Sequence, residues 1–122
     1  KVEKLSLHDN MLAKIPESIG NMKGLEKLYL DNNELATLPA SLGNLENLEV
    51  LMVSGNSLVS LPTALGNLKK LHELVLDENE LDSIPEELAE CDSLRSLSIA
   101  NNPLSGSLPK ALVTKQGLQI DS

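Results

Sequence analysis

The residue of this 122-residue chain best suited to nucleophilic chemistry is its single cysteine, Cys91. A cysteine becomes reactive when a neighbouring base or cation lowers its pKa. Cys91, however, falls in a series of positions 23 residues apart that are otherwise apolar. The other members of the series are Met22, Leu45 and Leu68. We therefore expect Cys91 to be a small buried hydrophobic residue, and one cysteine cannot form a disulfide within the chain.

The two histidines are the next candidates for catalysis or metal binding. At the same 23-residue interval, His8 is followed by Asp31 and Ser54, which completes the three residue types of a hydrolase triad. The base of such a triad must lie between the nucleophile and the acid, and here Asp31 separates the other two. His8 and Asp31 would supply only two ligands, fewer than zinc needs. We expect His8 and His72 to be polar surface residues, and the sequence predicts no catalytic residue, metal site or cofactor, hence no enzyme.

The 23-residue interval is a repeat that runs through the chain. Leucine fills 27 of the 122 positions, and the chain has one Tyr and no Trp or Phe. One leucine column comprises Leu5, Leu28, Leu51, Leu74 and Leu97. In the first unit, Val2 lies three residues before Leu5. What we call the asparagine column comprises Asn10, Asn33, Asn56, Asn79 and Asn102. The pattern predicts one domain, 1–122, with five repeats at 2–24, 25–47, 48–70, 71–93 and 94–117, and a residual C-terminal tail at 118–122.

Each repeat predicts a short strand followed by a compact return. Leu28-Tyr29-Leu30 alternates apolar and polar residues with period two, which is typical of a strand with one buried face. One repeat cannot bury its own leucines, so the repeats must stack with their strands parallel. We expect the asparagine column to be structural, with each amide bonded to backbone groups of adjacent turns. The Pro that follows a Leu or Ile in each unit favours one or two turns of helix on the opposite side.

The segment Leu25–Leu35, L-x-x-L-x-L-x-x-N-x-L, resembles the leucine-rich repeat. The 23-residue length, with L-P-x-x-L-G-N-L at 38–45 and 61–68, is similar to the Ras-group intracellular type. The fifth unit, with one extra residue between Leu104 and Pro109, resembles the plant type. The resemblance implies an α/β fold, namely a right-handed, curved solenoid with a parallel sheet on its concave face. It also implies short helices or 3₁₀ turns on the convex face.

Outward-facing strand residues define a candidate binding surface on the concave face. Its apolar members, which we call the concave patch, are Tyr29, Met52, Val75 and Val50. Its charged members, which we call the charged rim, are Lys27, Glu73, Asp31 and Asp77. An apolar centre framed by charge is the usual anatomy of a protein-binding surface.

The net charge of −8 favours a protein partner with a basic patch and disfavours nucleic acid, which binds to basic faces. Nine of the eighteen carboxylates lie in the fourth repeat, 71–93. No apolar run approaches about 18 residues, so we expect no membrane insertion.

The ends of the array leave the exact function open. The first repeat would present an uncapped apolar face upstream, formed by Val2, Leu5, Leu7, Ile15, Ile19 and Met22. At the other end, Asp121 is expected where the second leucine of a sixth strand belongs, so the array should stop there. We expect a protein–protein interaction module that binds on its concave face. The alternatives are a targeting or sensor fragment of a larger signalling enzyme or receptor, and structural self-association through the N-terminal face. We expect a monomer or weak dimer in the cytoplasm, with a secreted location as the alternative.

Overall fold

The computed structural model describes residues 3–122 as a stack of parallel strands, so Val2 lies outside the described residues. Six three-residue strands form one sheet in chain order. They are β1 (Lys4–Ser6), β2 (Lys27–Tyr29), β3 (Val50–Met52), β4 (Glu73–Val75), β5 (Ser96–Ser98) and β6 (Gln119–Asp121). Neighbouring strands pair in parallel with a 23-residue offset. The predicted curved solenoid of stacked α/β units is confirmed.

Short helices occupy the side opposite the sheet. The first four repeats each contain a five-residue 3₁₀ helix, at Glu17–Asn21, Ala40–Asn44, Thr63–Asn67 and Glu86–Glu90. A proline in extended conformation precedes each helix, where its missing N–H costs no hydrogen bond. The fifth repeat has one turn of α-helix instead, α1 (Lys110–Val113).

Glycines allow the 3₁₀ helices to stack closely. A Cβ atom on Gly43 would lie 2.5 Å from the backbone oxygen of Ala64 in the next helix, and one on Gly66 would lie equally close to that of Glu87. No side chain fits at such a distance. The fourth repeat has Ala89 at this position, and the element stacked on it is α1 rather than another 3₁₀ helix.

The core between sheet and helices is almost entirely leucine. The leucines of the second, third and fourth repeats that face inward are buried, and most of them, among them Leu28, Leu51 and Leu74, have no solvent exposure. At the two ends of the stack the equivalent side chains are only partly buried, as at Leu5 and Ile120. The core is therefore a continuous column that thins at each end.

The C-terminal residues form a sixth strand, so the expectation that the array ends before 118–122 is wrong. Ile120, rather than Asp121, pairs with Leu97 and takes the inner position. Side chains in a strand alternate between faces, so a shift of one residue turns Ile120 inward and Asp121 outward beside Ser98. Gly117 makes the shift possible because its φ of +81° lies in the left-handed region that favours glycine.

A residue with left-handed backbone conformation occupies the turn after each of the first five strands. We call these residues the left-handed column. Its members are Asp9, Asn32, Gly55, Glu78 and Asn101, with φ between 58° and 69°. Glycine and asparagine adopt this conformation readily, whereas a glutamate there carries a conformational cost. Glu78 is therefore the strained member of the column.

Candidate protein-binding surface

The strand register brings the residues of the concave patch together. Tyr29, Met52 and Val75 are direct cross-strand neighbours along the centre of the sheet, and Val50 pairs with both Lys27 and Glu73. Adjacent parallel strands lie about 4.8 Å apart, so these side chains form one continuous strip. All four apolar residues are half-buried, which leaves part of each side chain open to solvent.

The only aromatic side chain of the protein is held by a cation. The Lys4 Nζ atom lies 5.3 Å from the centroid of the Tyr29 ring, within range of a cation–π interaction. Lys4 is on β1 and Tyr29 on β2, one strand further along the stack. Together with exposed Lys27, Lys4 makes the first two strands of the sheet basic.

The two aspartates of the charged rim also bind the next repeat. Asp31 Oδ1 accepts a hydrogen bond from the Ser54 backbone N–H at 2.8 Å. Asp77 Oδ1 accepts one from the Ala100 N–H at 2.8 Å and another from the Ser98 hydroxyl at 2.7 Å. From the sequence, these carboxylates were predicted to bind a partner and nothing else. The signal for the additional structural role was their place just after the strand, where backbone N–H groups of the next turn need acceptors.

The side chains of the asparagine column join adjacent repeats through backbone groups. Asn56 is representative. Its amide nitrogen donates to the carbonyl oxygens of Leu30 at 3.0 Å and Val53 at 3.1 Å, and its oxygen accepts from the Leu35 N–H at 3.0 Å. Asn33 and Asn79 repeat this pattern and are buried like Asn56, whereas Asn102 is half-buried. Asn10 is exposed and donates to carbonyl oxygens of its own repeat, those of Leu7 and His8.

The cysteine is enclosed in the core. Cys91 has no solvent exposure, and its Sγ lies 3.1 Å from the Leu65 carbonyl oxygen, to which the thiol donates. Burial raises the pKa of the Cys91 thiol from 9.0 to about 11, although Lys69 and Lys115 partly oppose the shift. A thiol with such a pKa is protonated at neutral pH and is a poor nucleophile.

The histidines are exposed, as predicted, and they lie on different repeats. Residues 3–122 contain no group of three or more His, Cys, Asp or Glu side chains that could hold a metal ion. Within the same residues, no helix has the length and apolar character needed to cross a bilayer.

The N-terminal face holds an open cavity of about 410 Å³. Its lining is mainly apolar and consists of Leu7, Leu12, Lys14, Ile15, Pro16, Ser18, Ile19 and Met22. The expectation that Ile15 and Ile19 are exposed on this face is corrected, since both are buried although they line the cavity, while Leu7 and Met22 are partly exposed. Met11 is 81% exposed and was not predicted as a surface residue. Its signal is its column, where the next repeat has the polar residue Glu34.

The sequence matches the family described as "Leucine-rich repeat region" over residues 3–117. The chain therefore belongs to the leucine-rich repeat family. Its assignment to the Ras-group type, and that of its fifth unit to the plant type, stay predictions. Among curated proteins, none matches the chain closely enough to count as a relative.

Several solved structures are similar to this one. A leucine-rich repeat protein of Leptospira interrogans has a TM-score of 0.92 at 32% identity, covering 98% of this chain and 31% of that one. A chain from the BIR3–SERK2 complex of Arabidopsis thaliana has a TM-score of 0.79 at 40% identity, covering 89% of this chain and 61% of that one. The ectodomain of the Arabidopsis thaliana receptor kinase GASSHO1/SCHENGEN3, in complex with CASPARIAN STRIP INTEGRITY FACTOR 2, has a TM-score of 0.88 at 35% identity, covering 98% of this chain and 15% of that one. This chain spans less than two thirds of the length of each.

Proposed function

We propose that this protein is a non-enzymatic binding module that recognises a protein partner on the concave face of its sheet. The observation that carries the proposal is the continuous apolar strip made by Tyr29, Met52 and Val75, which runs from the basic strand β2 to the acidic strand β4. The occurrence of similar structures in protein complexes supports the general role.

The patch and the rim divide the work of recognition. Tyr29 and Met52 are residue types favoured at the centre of interfaces, because a large aromatic or flexible thioether side chain buries much apolar area. Lys27 and Glu73 carry opposite charges on either side of Val50 and fix the orientation of the partner. Six strands span only about 24 Å, which is near the low end for a stable interface, so the expected affinity is modest.

Partner capture from a cell extract tests this proposal. The double variant Tyr29→Ala/Met52→Ala should lose a partner that the wild type retains, because the apolar anchors are gone. Glu73→Lys combined with Asp77→Asn should weaken capture of a basic partner. The asparagine preserves an oxygen that can accept the Ala100 hydrogen bond while it removes the charge.

A matched control is Val59→Ala, since Val59 is 52% exposed but lies outside the strands. Capture should survive this change. If both double variants stay folded and keep every partner of the wild type, concave-face binding is wrong.

A second candidate function is that of a targeting or sensor segment within a larger enzyme or receptor. The observation in its favour is that the whole chain superimposes on 15% of a receptor-kinase ectodomain. Sequencing of the full-length transcript tests it, because a kinase, phosphatase or other signalling domain in the same reading frame is expected. A transcript that encodes no further domain would contradict it.

A third candidate is self-association through the N-terminal face. The apolar cavity there, about 410 Å³, is the observation that favours it. Light scattering over a hundredfold range of concentration should show a dimer that Met22→Lys abolishes. A molecular mass that stays monomeric throughout would exclude it.

We propose a cytoplasmic location, in keeping with a single cysteine that makes no disulfide. Immunofluorescence of the tagged full-length protein tests this. Recovery of the protein from the culture medium would instead support secretion.

A further inference from the structure

The dimensions of the concave face match those of an α-helix. Three-residue strands give the surface a width of about 10 Å, and helices with their side chains are about 10–12 Å across. The strands succeed each other every 4.8 Å or so, close to the roughly 5.4 Å pitch of a helix. A helix aligned with the stack would thus place about one side chain on each strand.

We propose that the occupant of the concave patch is an amphipathic α-helix of the partner, aligned with the long direction of the sheet. It carries an acidic residue at position i, apolar residues at i+3 and i+4, and a basic residue at i+7. The acidic residue lies over Lys27, the apolar pair over Met52, and the basic residue over Glu73. This inference rests on the proposed binding at the concave face and names the chemistry of its partner.

The charges along the sheet carry the assignment. The first two strands present Lys4 and Lys27, the third presents only apolar residues, and the fourth presents Glu73. Lys27 and Glu73 flank Val50 in register, so they are two strand spacings, about 9.6 Å, apart. Residues i and i+7 of a helix lie on one face about 10.5 Å apart.

An extended segment fits this spacing less well. Its side chains return to the same face every two residues, about 6.6 Å apart, which is out of phase with strands 4.8 Å apart. A helix stays in phase over the three strands concerned. The phase relation therefore favours a helix.

The residues outside the strands are competing sources of charge. Asp31 and Asp77, just after the strands, are bound to backbone N–H groups of the next repeat. The residues just before the strands are Glu26 and Glu49 early in the stack and His72 and Arg95 later, which is the reverse order. These border residues lie before the paired positions of the strands. A helix centred on Tyr29, Met52 and Val75 therefore lies closer to the charged strand residues than to the border residues. A helix that paired with the border residues instead would carry its acidic and basic residues in the reverse order.

The test uses the full chain and a fluorescein-labelled synthetic peptide of about 18 residues, held helical by a lactam bridge on its outer face. The peptide has Glu at i, Leu at i+3 and i+4, and Lys at i+7. Fluorescence anisotropy should give a dissociation constant on the order of 10–100 µM. Met52→Ala should weaken binding by about tenfold or more.

Lys27→Glu should weaken binding by roughly fivefold, and exchange of the peptide's Glu for Lys should restore it. Lys27 is exposed, so this change leaves the fold intact. A peptide with Lys at i+5, off the binding face, should bind more weakly than the parent. Unaltered thermal unfolding of each protein variant is the control for folding.

Three results would overturn the helix proposal: no binding of the parent peptide, equal binding of a proline-containing version that cannot be helical, or no restoration by the charge exchange. If any of these occurs while Tyr29→Ala/Met52→Ala still abolishes partner capture, concave-face binding stands and only the helical partner is wrong. If partner capture also persists in that double variant, both proposals fail.

Discussion

The interior repeats and the terminal repeats of this protein have the same residue pattern but unequal burial. In the second to fourth repeats the inward leucines are buried, and the asparagines Asn33, Asn56 and Asn79 are buried with them. In the first repeat Leu5 is only partly buried and Asn10 is exposed. The same residue type therefore contributes more to stability in a repeat with neighbouring repeats on both sides than in a repeat with one neighbour.

The difference teaches that the contacts between repeats, rather than those within a repeat, hold this fold together. Each interior asparagine bonds to the backbone of the preceding repeat, and Asp31 and Asp77 each bond to the backbone of the following one. Such an array gains stability with each added interface.

Replacement of an interior asparagine should have the largest effect on stability. Asn56→Ala leaves the buried Leu35 N–H without an acceptor and removes the bonds to the Leu30 and Val53 carbonyl oxygens, so we expect the free energy of unfolding to fall by about 4 kcal/mol. Asn10→Ala at the exposed end should cost about 1 kcal/mol or less. Urea unfolding measures both, and equal losses would contradict the contrast between interior and end.

The convex side offers a second contrast. Gly43→Ala forces a Cβ to within 2.5 Å of the Ala64 backbone oxygen and should cost about 2–3 kcal/mol, because backbone must shift. The matched change Ala89→Gly, where α1 replaces a 3₁₀ helix as the next element, should cost about 1 kcal/mol, from the added flexibility of the chain. Denaturant midpoints compare the two. If Gly43→Ala proves as mild as the control, the close stacking of the 3₁₀ helices is not essential.

The buried thiol at the end of the fourth repeat should make stability depend on alkaline pH. Because the pKa of Cys91 is raised from 9.0 to about 11 in the fold, the unfolded chain loses its proton first. The thiol's contribution is therefore complete below pH 9 and is lost as pH rises through about 11. The loss should reach about 2 kcal/mol by pH 11.

Unfolding experiments between pH 7 and pH 11 on the wild type and on Cys91→Ala measure this dependence. The variant should be less stable at neutral pH because of the cavity it creates, but its stability should decline less at high pH. Parallel profiles for the two proteins would mean that Cys91 is solvated in the fold.

The smallest expected effect is a gain. Glu78 is the strained member of the left-handed column, so Glu78→Gly should stabilise the protein by about 0.5–1 kcal/mol. Glu80→Gly, two residues along the same acidic segment, removes the same charge without relieving a positive φ. It should bring no gain, and an equal gain from both variants would assign the effect to charge repulsion instead.

The interior of the fold could be predicted from the sequence because every repeat imposes the same pattern. Leu28, Leu51 and Leu74 occupy equivalent positions, so the strand, its register and its buried face follow from one unit. The exposure of Tyr29 to the outer face follows from the same alternation.

The last strand could not be placed in this way. The predicted register counted three residues from Leu118, which put Asp121 inward, whereas the fold skips one residue and turns Ile120 inward. The cost of a buried carboxylate outweighs the regular spacing, and the left-handed conformation of Gly117 absorbs the difference. The bonds of Asp31 and Asp77 to the next repeat could be anticipated only in part. Their place just after the strand indicates nearby N–H groups, but residue type does not show which way a carboxylate oxygen turns.

The fifth repeat has one extra residue between Leu104 and Leu108 and one residue fewer between Leu108 and Ile120. The interval from Leu97 to Ile120 is therefore again 23 residues. A change of length on the convex side therefore leaves the strand register of the concave face unchanged. The segment around Gly106 has open space beside it, since a Cβ built there meets no atom within 4 Å. It is the place where an affinity tag or a foreign epitope could be spliced into the protein without disturbing the surface that meets the partner.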